Sequence, residues 1–380
     1  MEKNKPDTTP PAVKCFVNTG SRLLSLDLGP EAPLVRREKL PGGSALTYGQ
    51  YLDAVSGLIS QNSFHLLGQL LGKGPKPFPH LGKISSIHLI AEKHGALYSV
   101  ARLRVRSGDT IVQFALNCAF SPEQQAFLRI ETALLSELHA KFHLDYLPSP
   151  TICAEAPGLM LFITQWFEGH HEFHLSANQT GEPAIKIWKN DKGQPNFIDA
   201  DKSCQLYAQA SKILTHYLDL ETFSQIYPWH HAAGDFIVDA TKDPVSVRLV
   251  TARGYRPLLS QDCGTQDKML GALHFFLNLC VRMRLDRLDG VGELAWAGPN
   301  CLEGIIRGFT QAWETRQNNT LPKAGEIFAL FKALLPEERL AFAQVAVEEG
   351  MIEADETGFL APRLAPCMEE LARALEHFGF

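Results

Sequence analysis

The 380-residue chain contains no Cys-x-x-Cys pair, no long apolar run and no surplus of positive charge. Each absence removes a class of protein. The eight cysteines (15, 118, 153, 204, 263, 280, 301 and 367) lie far apart, several among apolar neighbours as in Phe276-Leu-Asn-Leu-Cys280. They are expected to be buried reduced thiols rather than disulfides or a zinc site. The longest apolar stretches, such as Gly158 to Thr164, fall far short of the roughly 20 residues of a spanning helix, and the start Met-Glu-Lys-Asn-Lys-Pro has no apolar signal core. A cytoplasmic protein without a membrane partner is expected. A net charge of -6 offers no general attraction to nucleic acid, so none is expected as a partner. No internal repeat is visible.

What remains is a globular composition, 45% hydrophobic and 21% charged, with length for two or three units of about 150 residues. Residues 1–46 carry Pro, Gly and charge without periodicity and read as a tail or irregular lead-in. Over 47–82, Tyr48, Tyr51, Leu52, Val55, Leu58, Ile59 and then Leu66, Leu67, Leu70 and Leu71 have helical spacing, predicting one or two helices that end at the proline-rich stretch before His80. Two β-rich runs, Ile84 to Arg106 (broken near His94-Gly95) and Thr110 to Ala119, flank an Arg-Ser-Gly-Asp turn and predict a small antiparallel sheet. Ser121-Pro-Glu-Gln opens a helix with Phe127, Ile130, Leu134, Leu135 and Leu138 as its expected apolar face.

A strand pair follows, Thr151 to Cys153 and Leu159 to Trp166, then an expected hairpin over 185–198 around Asn-Asp-Lys-Gly. Beyond Asp201 the pattern is mainly helical, interrupted by a loop-and-strand region from Tyr227 to Leu259. Arg282, Arg284 and Arg287 alternate with Met283, Leu285 and Leu288, which predicts a helix with one buried and one solvated side. Residues 321–380 read as a helical extension with breaks at Gly350 and Gly358 to Pro362. Its apolar stripe, including Phe328, Phe331, Leu371 and Leu375, suits either the core of the main body or a homo-oligomeric contact. A DNA-reading role for this stretch is disfavoured because acidic residues outnumber basic ones there.

This order of elements resembles the aminoglycoside phosphotransferase and choline kinase branch of the protein-kinase-like fold over about residues 83–316. The local match is Leu147-Pro-Ser-Pro-Thr-Ile-Cys153 followed by Leu159-Met-Leu-Phe-Ile-Thr-Gln-Trp-Phe-Glu-Gly169, which looks like the family's Pro-x-Pro strand and its hinge strand ending in Glu-Gly. The resemblance implies an α+β, two-lobed protein: a small antiparallel-sheet N-lobe over 83–169, a mainly helical C-lobe over 170–320 and the helical extension, with ATP and magnesium as the family's cofactors. By position Glu131 would be the acid that pairs with a strand lysine, and Gly95 marks the loop over the phosphates. Where the family has His-Gly-Asp-x-x-x-x-Asn, this chain has Pro228-Trp-His-His-Ala-Ala-Gly-Asp235. Matching the strands puts His230 at the catalytic Asp, Asp235 at the metal-binding Asn and Thr251 at the magnesium Asp. The strand Ile111-Val-Gln-Phe-Ala-Leu-Asn117 contains no lysine.

Phosphoryl transfer is accelerated mainly by positioning and by cations on the transferring group, so these departures matter. The expectation is a degenerate kinase-like protein, a pseudokinase, that binds a small-molecule ligand or protein partner in its inter-lobe cleft in a regulatory or scaffold role. An atypical ATP-dependent phosphotransferase would instead use His230 as base, its ordinary pKa of about 6.5 suiting that work, and Asp235 as metal ligand. A metal-dependent hydrolase would draw on His230, His231 and Asp235, with His231 and Asp235 as metal ligands, and on a second cluster of His170, His171, Glu172 and His174. Against it, the spacing matches no specific zinc signature, and histidines bracing a loop are the plainer expectation. Arg248, Arg253 and Arg256 flank the Thr251 position and suit either an anionic ligand or internal salt bridges. Glu131 is either a relic of the ion pair or a polar residue on an exposed face.

Overall fold

The computed structural model describes residues 10–40, 46–73, 81–94, 97–188, 196–229, 234–260, 262–316, 321–348 and 354–378. The chain divides into two compact units. One comprises Met1–Glu137, Pro148–Glu168 and Asn190–Lys192; the other comprises Leu138–Leu147, Gly169–Lys189 and Gly193–Phe380. Both mix helix and strand, as the α+β expectation requires.

The first unit contains β1 (Val13–Asn18), β2 (Leu23–Ser25), α1 (Ala32–Arg37), α2 (Tyr48–Lys73), β3 (Ser86–His94), β4 (Ser99–Ser107), β5 (Thr110–Ala119), most of α3 (Pro122–Phe142), β6 (Pro150–Ala156) and β7 (Leu159–Gln165). The strands form one seven-stranded sheet in the order β2-β1-β3-β4-β5-β7-β6. The pairing of β1 with β3 is parallel and the others are antiparallel. The sheet is therefore larger and more mixed than the small antiparallel one expected. The lead-in supplies the difference: Cys15 and Val17 are buried while Lys14, Phe16 and Asn18 point the other way, a period-2 strand too short to stand out among its prolines and charges. On the buried face, Tyr51, Leu52, Val55, Ile59 and Leu67 of α2 join Leu89, Leu103, Val105 and Leu116 in one core. The α2 tract is broken at Gln61–Phe64, where Asn62, Ser63 and Phe64 take positive φ, so two helices meet at a kink.

The expected apolar face of α3 holds at Leu135 and Leu138, which are buried, and is corrected in the first turns, where Leu128 and Glu131 are buried and Phe127 and Ile130 are exposed. Glu131 accepts a hydrogen bond from the Tyr98 hydroxyl at 2.8 Å. A satisfied carboxylate occupies the inner stripe, where a pattern reading admits only apolar residues.

The second unit contains β8 (Phe173–Ala177), β9 (Pro183–Ile187), α4 (Ala200–His216), β10 (Gln225–Ile226), β11 (Phe236–Asp239), β12 (Ser246–Leu249), β13 (Tyr255–Arg256), α5 (Thr265–Arg282), β14 (Leu285–Arg287), β15 (Leu294–Trp296), α6 (Asn300–Thr315), α7 (Ala324–Ala333), α8 (Pro336–Glu348) and α9 (Ala354–His377). The main partner of β9 is β8, through a turn over Asn178 to Glu182. The 185–198 hairpin is reduced to bonds from Ile187 to Asn196 and from Ile198 to Ile185, and its Asn-Asp-Lys-Gly turn lies outside the described residues. Helices α4 and α6 approach closely because Gly308 has no side chain; a Cβ there would lie 2.0 Å from the Ala208 carbonyl oxygen. Phe276, Phe309 and Phe328 pack with ring centroids 4.9 to 6.0 Å apart.

Of the two alternatives for the apolar stripe of the helical extension, the first holds for Phe328, Phe331, Leu371 and Leu375, which are buried within the chain. The arginine run is not half solvated. Arg282 pairs with Glu356 at 2.7 Å, both nearly inaccessible, and Arg284 pairs with Glu370 at 2.5 Å while donating through Nε to the Ala297 carbonyl. Arg287 meets Asp355 at the surface. These pairs, with buried Leu360, Leu364, Cys367, Leu371 and Leu375 at helical spacing, carry α9 through Gly358, Pro362 and Pro366, where the sequence signals breaks.

Arg282→Met leaves Glu356 buried without its partner and is expected to cost about 3–5 kcal/mol in urea unfolding, while the double variant with Glu356→Leu recovers most of it. A second expectation concerns pH. His216 stacks on Tyr146 at 5.9 Å, and burial, then Arg316 and Lys212, push its pKa down to about 4. The folded state thus binds fewer protons than the unfolded chain, so stability falls as pH drops from about 6.5 towards 4, and His216→Gln flattens that decline.

Candidate functional site

The site is assembled by the β11–β12 hairpin, whose register pairs Phe236 with Leu249 and Asp239 with Ser246. Its turn end is anchored on α4: Lys202 donates to the Ala240 carbonyl and Gln205 accepts from the Val245 N–H. Asp239 accepts bonds from the Thr241 N–H and hydroxyl. Burial pushes the Asp239 carboxyl up, but those bonds and the nearby His170 and Lys242 leave it below the ordinary carboxylate value.

The segment after Glu168 runs beside β11, His171 and Val238 exchanging both backbone bonds at 2.8 and 2.9 Å. Gly169, at φ 78°, faces Asp239, where a Cβ would sit 3.2 Å from the carboxylate. The second histidine cluster is thereby spread along a strand rather than gathered around a point. His170 Nε2 lies 3.1 Å from the Ser246 hydroxyl, and His174 is buried against Trp188, with Nδ1 3.9 Å from Asp286. Among the described residues no group of three His, Cys, Asp or Glu side chains is arranged to hold a metal.

The open end of the hairpin carries the chemistry. The Val250 N–H donates to the Asp235 carbonyl at 2.7 Å, so Asp235 and Thr251 lie on neighbouring strand ends, both buried. Both Asp235 carboxylate oxygens are taken by the two terminal guanidinium nitrogens of Arg253. The carboxylate is 2% exposed and the guanidinium side chain 30%, so the pair is sealed on the acid side and open on the basic side. The loop that carries Arg253 is folded back on residues 225–228 by β10–β13 pairing, and Gly254 lets it close: a Cβ there would lie 2.5 Å from the Tyr227 carbonyl oxygen. Trp229 packs edge-on against Phe236 beneath.

Of the other expected site residues, His230, His231 and Gly95 lie outside the described residues. Glu131, in the first unit, is buried and bonded to Tyr98 rather than exposed. Arg253 resolves one of the two alternatives for the arginines by forming an internal salt bridge. Arg248 donates to the Val247 carbonyl, and Arg256 lies exposed on β13. Sequence reasoning missed Tyr98, and no local pattern marks a tyrosine as the partner of an acid 33 residues on.

No family model matches the chain, and no curated protein matches it. Among the described residues no helix is long and apolar enough to cross a membrane.

Arg253→Met strands a buried carboxylate. A loss of roughly 3 kcal/mol is expected near pH 7. Urea unfolding of both proteins measures it.

Proposed function

We propose that this chain is a degenerate kinase-like protein, related in plan to the aminoglycoside phosphotransferase and choline kinase branch, that binds a ligand or protein partner in a regulatory or scaffold role without transferring phosphate. One observation carries the reading: Asp235, at the position the resemblance assigns to metal binding, commits both carboxylate oxygens to Arg253. A magnesium ion at this carboxylate would have to displace a bidentate guanidinium from a site where the anion is almost fully desolvated. The cation of this site is built into the chain.

Two further features support it. Thr251 provides a hydroxyl where a second metal carboxylate would be needed, and β5 provides no lysine for the phosphates. Glu131 is already satisfied by Tyr98, so the acid that would orient such a lysine has another partner. With these groups replaced, the charge stabilisation that drives phosphoryl transfer is largely absent. The part-exposed Arg253 guanidinium, fixed by its carboxylate, suits holding an anionic group rather than activating one.

The test is a thermal-shift titration with ATP and magnesium, paired with an assay for γ-phosphate transfer to hydroxylated acceptors such as choline and an aminoglycoside. No saturable stabilisation and no transfer are expected. Saturable stabilisation that is lost in Asp235→Asn, or metal-dependent transfer, would establish the atypical phosphotransferase instead.

A further inference from the structure

The sheet of the first unit buries one face against α2, and its other face carries a cluster of cations beside Ile90 and Glu92. Strand register sets Lys14 of β1, His88 of β3, Arg104 of β4 and Gln113 of β5 in one row across the sheet. Trp166 extends the row, its N–H bonded to the Gln113 carbonyl. Arg102 and Arg106 lie two residues to either side of Arg104 along β4, on the same face. Arg102 is balanced by Glu92 at 2.6 Å and covers the Trp166 ring. Among the described residues Lys14, Arg104 and Arg106 have no acidic partner. Their field is felt at His88, whose pKa is held below the ordinary value by burial and then by Arg104, Lys14 and Arg106. In a chain of net charge -6, uncompensated cations on one sheet face are a segregation that composition conceals.

We propose that this face docks an extended acidic segment of a protein partner, with carboxylates at alternate residues over Arg104 and Arg106 and another near Lys14. Guanidinium forks match carboxylates in bidentate geometry. Alternate residues of any extended chain are about 6.8 Å apart, the same repeat that separates Arg104 from Arg106, so a peptide running along β4 keeps register with it. Neighbouring strands are about 4.8 Å apart, which brings the β1 and β3 positions within reach of the same peptide. The half-buried Phe16 ring provides apolar contact beside Lys14. A short acidic segment fits better than a nucleic-acid strand: the patch covers only a few residues, and phosphates farther from it than a Debye length of about 8 Å feel little of its attraction. The inference does not depend on the kinase-like reading.

The experiment uses the full chain and a fluorescent peptide of alternating Glu and Thr, about a dozen residues long, followed by anisotropy at low and physiological salt. Saturable binding is expected, weakening with salt and falling about tenfold in Arg104→Glu/Arg106→Glu, each pair being worth a few-fold at a part-exposed site. Arg129→Glu, exposed on α3, leaves it unchanged. The milder Arg104→Gln/Arg106→Gln, checked for an unaltered melting temperature, gives a smaller loss in the same direction. Binding that is absent, that is indifferent to both double variants, or that is weaker than binding of an oligothymidylate of equal length overturns the proposal.

Discussion

A buried carboxylate requires hydrogen-bonding or charged partners, and Asp235 finds a cation eighteen residues along the chain in Arg253. Removing a lone carboxylate from water would cost several kcal/mol, so the loop after β12 is obliged to return to the hairpin it has just left. The neighbouring features follow from that return. The Val250 bond to Asp235 lengthens the hairpin by one step, Gly254 passes the Tyr227 carbonyl where no side chain fits, and β13 reaches β10. The pair also determines what the site can do. A carboxylate whose two oxygens already accept from a guanidinium is neutralised and sealed, and the part-exposed group of the pair is the arginine.

The same physics acts at the C-terminus. Arg282 and Arg284 lie at the end of α5 and just beyond it, are buried, and draw Glu356 and Glu370 onto themselves from α9. Buried pairs of this kind contribute less to net stability than to specificity, because their attraction mainly offsets desolvation. They select one placement of α9 among those that its apolar stripe alone would permit. A helix interrupted by Gly358, Pro362 and Pro366 has weak intrinsic propensity, so the ionic contacts and the packing must hold it together.

Legibility in the sequence follows the same division. The strands β3, β4 and β5 are legible because runs rich in β-branched and aromatic residues are punctuated by an Arg-Ser-Gly-Asp turn, and the β11–β12 hairpin falls in the loop-and-strand region expected from Tyr227 to Leu259. What escaped is polarity on inner faces. Arg282 and Arg284 look half solvated, and Glu131 reads as either an ion-pair relic or an exposed residue, because their partners, Glu356, Glu370 and Tyr98, are 74, 86 and 33 residues away. Pattern reading weighs each position against its near neighbours, and a distant hydrogen bond leaves no local trace. The choice of Arg253 over Arg248 and Arg256 escaped for that reason too, since all three sit within one short stretch and only the loop's path decides among them.

The account turns on whether Asp235 belongs to Arg253 or to a metal ion. Titration of the purified protein with Mn²⁺, followed by electron paramagnetic resonance of the unbound ion with and without ATP, addresses this directly. The account predicts no saturable Mn²⁺ binding attributable to Asp235 under either condition. Stoichiometric binding that disappears in Asp235→Asn would contradict it.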